Sequence, residues 1–165
     1  MTAVSPGAVG TAAFVTSLAS AWFMTGLIWL IQVVHYPLFA QVGGEGFARY
    51  ESAHARLITP IVAPVMLAEL ASALLLLAVR PRAMPAWAAW SGAVLAIVIW
   101  ASTFLLQVPA HGALARGFDP DTHARLVSGN WIRTIAWSLR AVLLAWVAWS
   151  ILADAAPAVP DEARP

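Results

Sequence analysis

The sequence predicts an all-α membrane protein: a bundle of four transmembrane helices built as a direct repeat of two helical hairpins, with two interfacial amphipathic helices on one side. Three observations predict it. Charged residues make up 10% of the chain and hydrophobic ones 61%, with a mean hydropathy of +0.79; soluble domains carry about 25% charged residues. Four apolar stretches, each near the roughly 20 residues that a bilayer core requires, are separated by charged segments at 43–57, 80–82 and 109–129. The two halves also read alike. Each has an apolar helix bearing Gln then His (Gln32 and His35; Gln107 and His111), a segment with His-Ala-Arg-Leu (54–57; 123–126), and a second apolar helix.

Taken in order, residues 1–10 contain Pro6, Gly7 and Gly10 and predict a short disordered lead. The first span is predicted over about 11–34. It lies in an uncharged run too long for the apolar core of a signal peptide and without a charged start, so it reads as a retained span. Pro37 ends or kinks it near His35 and Tyr36. Residues 43–57 place Phe47, Tyr50, His54 and Leu57 at helical spacing, with Arg49, Ser52 and Arg56 elsewhere, as in a helix lying on a membrane surface.

The second span, 58–79, carries Pro60, Pro64 and one charge, Glu69; Arg80-Pro81-Arg82 closes it. The third, 83–108, has Trp87 and Trp90 at its entrance, where an interfacial anchor belongs. Residues 109–129 repeat the interfacial theme, and Asp119-Pro120 has the form of a helix cap followed by proline at the first position. The fourth span, 130–152, holds Arg133 and Arg140 and ends with Trp146 and Trp149. The whole of 1–152 reads as a single membrane domain. An Ala/Pro-rich acidic tail, 153–165, is predicted to be disordered.

Four spans put both termini on one side and both His-bearing segments on the other, with the repeats parallel about an axis along the membrane normal. The His side carries Arg49, Arg56, Arg116 and Arg125 against Arg80, Arg82 and Arg164 opposite. By the positive-inside rule this tilts the histidines towards the cytoplasm of a bacterial inner membrane. The partners implied are the lipid bilayer and a lipophilic small molecule, with a homo-oligomer open. A net charge of +1 offers no basic surface for nucleic acid. With no cysteine, thiol catalysis, thiolate metal sites and iron–sulfur clusters are excluded. There is no phosphate-binding glycine loop and no nucleophile elbow.

Ionisable side chains at membrane depth mark function or a buried pair. Glu69 and Arg140 both fall near mid-span and are natural partners, one helix locking another. Arg133 shares the face of Arg140 nearer the His side, along with Asn130. Thr25, Gln32 and His35 form one polar stripe and Thr103, Gln107 and His111 another. Facing inward, Gln32, His35, Gln107, His111, Asn130 and Arg133 would line a cavity for a flat apolar molecule with polar edges. The four histidines, His35, His54, His111 and His123, admit bis-histidine haem ligation. They also admit a non-haem metal site, since Glu51 and His54 stand at i,i+3. The bland alternative is a set of amphipathic side chains at an interface.

On Pro109-Ala-His111-Gly-Ala-Leu114 after the third span, and Asn130-Trp131-Ile-Arg133-Thr134 opening the fourth, the chain resembles the small four-helix membrane proteins grouped with anthrone-oxygenase-like domains. That family usually shows Asn where His111 stands. Gln32-Val-Val-His35-Tyr36-Pro37 and 54–57 are similar to a narrower bacterial set. The resemblance covers roughly residues 15–150 and implies oxidation of a hydrophobic aromatic substrate to a quinone. The sequence thus supports a redox-type protein holding a lipophilic aromatic substrate or haem. The competing reading is a non-enzymatic membrane protein, a small permease or assembly subunit, with Glu69 and Arg140 as structural glue.

Overall fold

The computed structural model describes residues 5–155, and these are helices and the turns between them. Helix α1 (Pro6–Leu30) continues through a π turn, Ile31–His35, and a short run to Gln41. Helix α2 is Gly44–Val79. Helix α3 (Ala86–Ser102) passes through a second π turn, Thr103–Gln107, and on through Val108–Leu114. Helix α4 is Pro120–Ala155. All four runs are long and apolar enough to cross a membrane.

Three expectations about boundaries change. The first helix starts at Pro6, because Ser5 caps it: its hydroxyl accepts from the Ala8 N–H at 3.3 Å. No disordered lead covers 5–10, and residues 1–4 lie outside the described residues. The two amphipathic segments are not separate interfacial helices. Each is the first part of a 36-residue helix that continues without a break into the apolar span. Between 47 and 79 there is no Gly or Asn to end a helix, and Pro60 and Pro64 are absorbed within it. Helix α4 likewise runs past residue 152, so only 156–165 of the expected tail lie outside the described residues. The cap at Asp119 is as expected, with its Oδ2 accepting from the Thr122 N–H at 2.9 Å and from the Thr122 hydroxyl at 2.5 Å. Those bonds hold the Asp119 carboxyl below its usual range.

Each helix packs on its neighbours in chain order, and α4 closes against α1. The hairpins are antiparallel. Gly10 at the start of α1 meets Val79 at the end of α2, while His35 near the far end meets His54; Trp87 and Trp146 pair across α3 and α4, 5.3 Å apart. Gly43, with φ of 82°, makes the turn into α2 in a region that side chains disfavour. At Gly10 a Cβ would run into the Val79 carbonyl oxygen, whereas Gly26 faces open space. Gly10→Ala should therefore lower the thermal midpoint in detergent, costing roughly 1–2 kcal/mol as overpacking does. Gly26→Ala should leave the midpoint unchanged.

The interior forms two apolar clusters. One, towards the histidine end, includes Met24, Ile28, Phe39, Phe47, Ile99, Leu126 and Trp137; the other includes Ala13, Phe14, Leu76, Met84, Leu144 and Val147. On α2, α3 and α4 a polar knot falls where the two sets meet, and on α1 its Ser17 lies within the second set. Arg140 Nε donates to Glu69 Oε1 at 2.8 Å, its two terminal nitrogens donate to Ser17 Oγ (2.6 Å) and the Gly92 carbonyl, and Trp137 Nε1 donates to Glu69 Oε2 at 2.8 Å. One guanidinium thus ties all four helices together. Outside, Leu105, Trp149, Leu152, Val142 and Trp90 are more than 60% exposed, an apolar exterior foreign to water-soluble monomers.

The two π turns have a common cause. Proline lacks an N–H and its ring clashes with the carbonyl four residues back. In both halves the residue just before the proline donates five residues back instead, Tyr36 to Ile31 and Val108 to Thr103. Thr103–Gln107 precedes Pro109 by the same interval as Ile31–His35 precedes Pro37. In that correspondence His35 matches Gln107, not His111. Such widened turns are frequent at functional sites.

Candidate functional site

The π turns point polar side chains inward at the histidine end. A cavity of about 250 Å³ lies between α2, α3 and α4 and the end of α1. Tyr36, His54, Thr103, Gln107, His111 and Arg133 supply its polar surface, and Ile31, Val62, Met66 and Trp100 are among its apolar walls.

Three side chains form a hydrogen-bonded chain along one wall. Glu51, on α2 and fully buried, has Oε1 2.5 Å from His111 Nδ1; His111 Nε2 is 2.8 Å from the Tyr36 hydroxyl. With Glu51 ionised, His111 Nδ1–H donates to it, which leaves Nε2 as the acceptor of the Tyr36 proton. A carboxylate, an imidazole and a hydroxyl in that order form the arrangement that lets an imidazole take a proton and be stabilised as a cation.

The opposite wall is underfilled in hydrogen bonds. Gln107 is 1% exposed, yet neither its Oε1 nor its Nε2 has a partner. Arg133 Nε is likewise buried and unpaired. Its Nη1 reaches Thr103 Oγ1 at 3.4 Å, and its guanidinium lies 5.4 Å from the centre of the Trp137 ring. Among the described residues no carboxylate is within ion-pair distance of Arg133. Buried amides and guanidiniums are normally satisfied, so the wall of the cavity holds unused donors and an unused acceptor.

Of the residues expected from the sequence, Gln107, His111 and Arg133 line this cavity together, whereas Gln32, Asn130 and His35 do not. Gln32 Oε1 accepts from Asn130 Nδ2 (2.9 Å) and from the Thr134 hydroxyl (3.3 Å), and its Nε2 donates to the Val127 carbonyl (3.1 Å). That side chain is spent locking α1 to α4. The expected stripe of Thr25, Gln32 and His35 is split by the π turn: Thr25 and Gln32 face α4, and His35 faces α2.

The histidines do not fit the metal or haem readings. His35 Nε2 and His54 Nδ1 are hydrogen-bonded directly, 2.9 Å apart, so they do not flank a macrocycle as axial ligands must. Both nitrogens of His111 are taken by Glu51 and Tyr36. His123 is turned away, with Nε2 2.8 Å from the Tyr36 carbonyl and its ring stacked on Phe39. Glu51 pairs with His111 across the bundle, not with His54 on its own helix. Among the described residues no three His, Asp or Glu side chains are set to hold a metal ion.

Sequence reasoning missed Tyr36, and it did not place Glu51 on the inward face of 43–57, which it read as lying on the membrane surface. Phe47 and Glu51 are buried, and Leu57 is 65% exposed. The available signals were the i,i+4 spacing of Phe47 and Glu51, and the position of Tyr36 directly before a helix-widening proline. No known protein family, curated protein or solved structure matches the chain.

Proposed function

We propose that the chain is an integral protein of the bacterial inner membrane, with its histidine end towards the cytoplasm, and that its two hairpins are a duplicated unit. The apolar exterior and the two proline-linked π turns support this. Within it, the cavity binds the oxygen-bearing ring of a lipophilic aromatic molecule, and the Tyr36–His111–Glu51 chain moves a proton at that oxygen. The carrying observation is that two residues lining this cavity, Gln107 and Arg133, hold buried polar atoms with no partner in the protein, and that Arg133 has no carboxylate beside it.

A phenolic or enolic O–H seated there donates to the Tyr36 oxygen while Tyr36 passes its own proton to His111 Nε2. The products are an oxyanion beside Arg133 and an imidazolium beside Glu51, so charge is balanced on both sides. Dioxygen then bonds to an electron-rich ring carbon of the oxyanion; one of its oxygen atoms stays as the second quinone carbonyl and the other leaves as water, taking the ring-carbon hydrogen and the imidazolium proton, the reaction implied by the family resemblance.

The probe is 2-naphthol, whose anion absorbs at longer wavelength than the neutral phenol. Added to detergent-purified protein at neutral pH, it should show saturable binding with an anion band. Gln107→Leu should weaken binding about tenfold, near the 1.4 kcal/mol typical of one good hydrogen bond. Tyr36→Phe should retain binding and lose the anion band. The absence of saturable binding, or undiminished binding by Gln107→Leu, would overturn the site. A Soret band or stoichiometric metal in the same sample would restore the cofactor readings.

A non-catalytic membrane protein is the second reading, favoured by the full satisfaction of the Glu69–Arg140 knot, which needs no ligand. It expects no 2-naphthol binding.

A further inference from the structure

At about 250 Å³ the polar cavity is smaller than the roughly 300–1,000 Å³ of ordinary ligand sites. It is not closed. A groove of about 540 Å³ runs along the outer seam between α1 and α2, lined by Leu27, Leu30, Val34, Leu57 and Ile61, with His35 and Tyr50 towards its charged end. Ile31, His54 and Ile58 line both the groove and the cavity, so the two spaces adjoin across these three side chains. The hydrogen bond from His35 holds that imidazole at the junction. The groove is almost wholly apolar, while the residues with unpartnered polar atoms, Gln107 and Arg133, line the cavity.

We infer that the two spaces form one bent site for a tailed amphiphile. Its oxygen-bearing ring sits against Gln107 and Arg133, and a single hydrocarbon chain passes His54 to lie between α1 and α2. This rests on the ring-binding reading above and narrows the substrate to a membrane lipid with an aromatic head, not a free aromatic metabolite. A second pocket adjoins the cavity between α2 and α3, among Ala55, Gly112 and Ala115 at the charged end. A chain leaving there would meet headgroups and water, whereas the α1/α2 groove follows the apolar run of both helices. Entry is then sideways from the bilayer, with the chain never leaving hydrocarbon. Because lipid tails are as apolar as the groove, the tail contributes fit and tethering, not a hydrophobic gain.

The chain has no cysteine, so single-cysteine variants take one label each. Spin labels at Ile61→Cys, on the groove wall two turns along α2 from His54, and at Val142→Cys, exposed on α4, are compared in phosphatidylcholine nanodiscs. The probes are 2-naphthol and 2-naphthol bearing a decyl chain. The decyl compound should immobilise the label at position 61, saturably, and leave that at 142 unchanged; bare 2-naphthol should alter neither. Adding Gln107→Leu should raise the concentration that gives half the effect at 61 about tenfold. If the decyl compound shows the anion band while the label at 61 stays mobile, the ring site stands and the tail groove is wrong. If that concentration is unchanged in Gln107→Leu, the groove takes a chain with no head anchored in the cavity, and the single-ligand inference falls. Absence of binding by either compound overturns both.

Discussion

Arg140→Leu is expected to cost the bundle roughly 3–5 kcal/mol, as removing one partner of a buried ion pair does. It strands the Glu69 carboxylate, which is 2% exposed, and removes the donors to Ser17 on α1 and Gly92 on α3. A drop in folded yield and in detergent thermal midpoint would register the loss. Glu69→Gln combined with Arg140→Leu should recover much of it. The neutral amide oxygen still accepts from Trp137 Nε1, now 2.8 Å from the carboxylate, and no charge is left uncompensated. If Arg140→Leu folds normally and instead loses 2-naphthol binding, the guanidinium belongs to the site and the knot is not structural.

Gln32→Leu is expected to destabilise by roughly 2–3 kcal/mol without weakening ring binding. The change frees Asn130 Nδ2, whose companion Oδ1 is already unpartnered, and a buried donor left unmade costs about 1–3 kcal/mol. It also removes the only side-chain link from α1 to the Val127 carbonyl of α4. Gln32→Leu with Asn130→Leu should recover part of the loss, because both members of the pair then become apolar. Gln107→Leu should behave oppositely, losing ligand while leaving the midpoint little changed, since no protein group depends on it. Equal effects of the two glutamine variants on binding would mean that both side chains face the ligand.

This contrast between two glutamines marks where the sequence stops. Both stand near the polar end of a similar apolar helix, shortly before its proline, and local pattern gives no reason to treat them differently. The π turns separate them. Gln32 is second in its turn and Gln107 last in its own, and each residue of helix is about 100° of rotation. Gln32 turns to α4 and is satisfied, while Gln107 lies on the cavity wall and is not.

Four apolar runs, the prolines that widen α1 and α3, the cap at Asp119 and the complementary charges of Glu69 and Arg140 are all written locally, in composition and short spacings. These determined an all-helical chain with four helices long enough to cross a membrane and a mid-span ion pair. What the tertiary structure decided was which polar groups find partners. Glu51 meets His111 only because α2 runs on unbroken from its amphipathic start and lays that face against α3. His123 leaves the histidine group because the Tyr36 carbonyl is nearer its ring than any cavity. Hydrogen-bond satisfaction across helices depends on rotation and depth relative to distant segments, and residue spacing along one helix fixes neither.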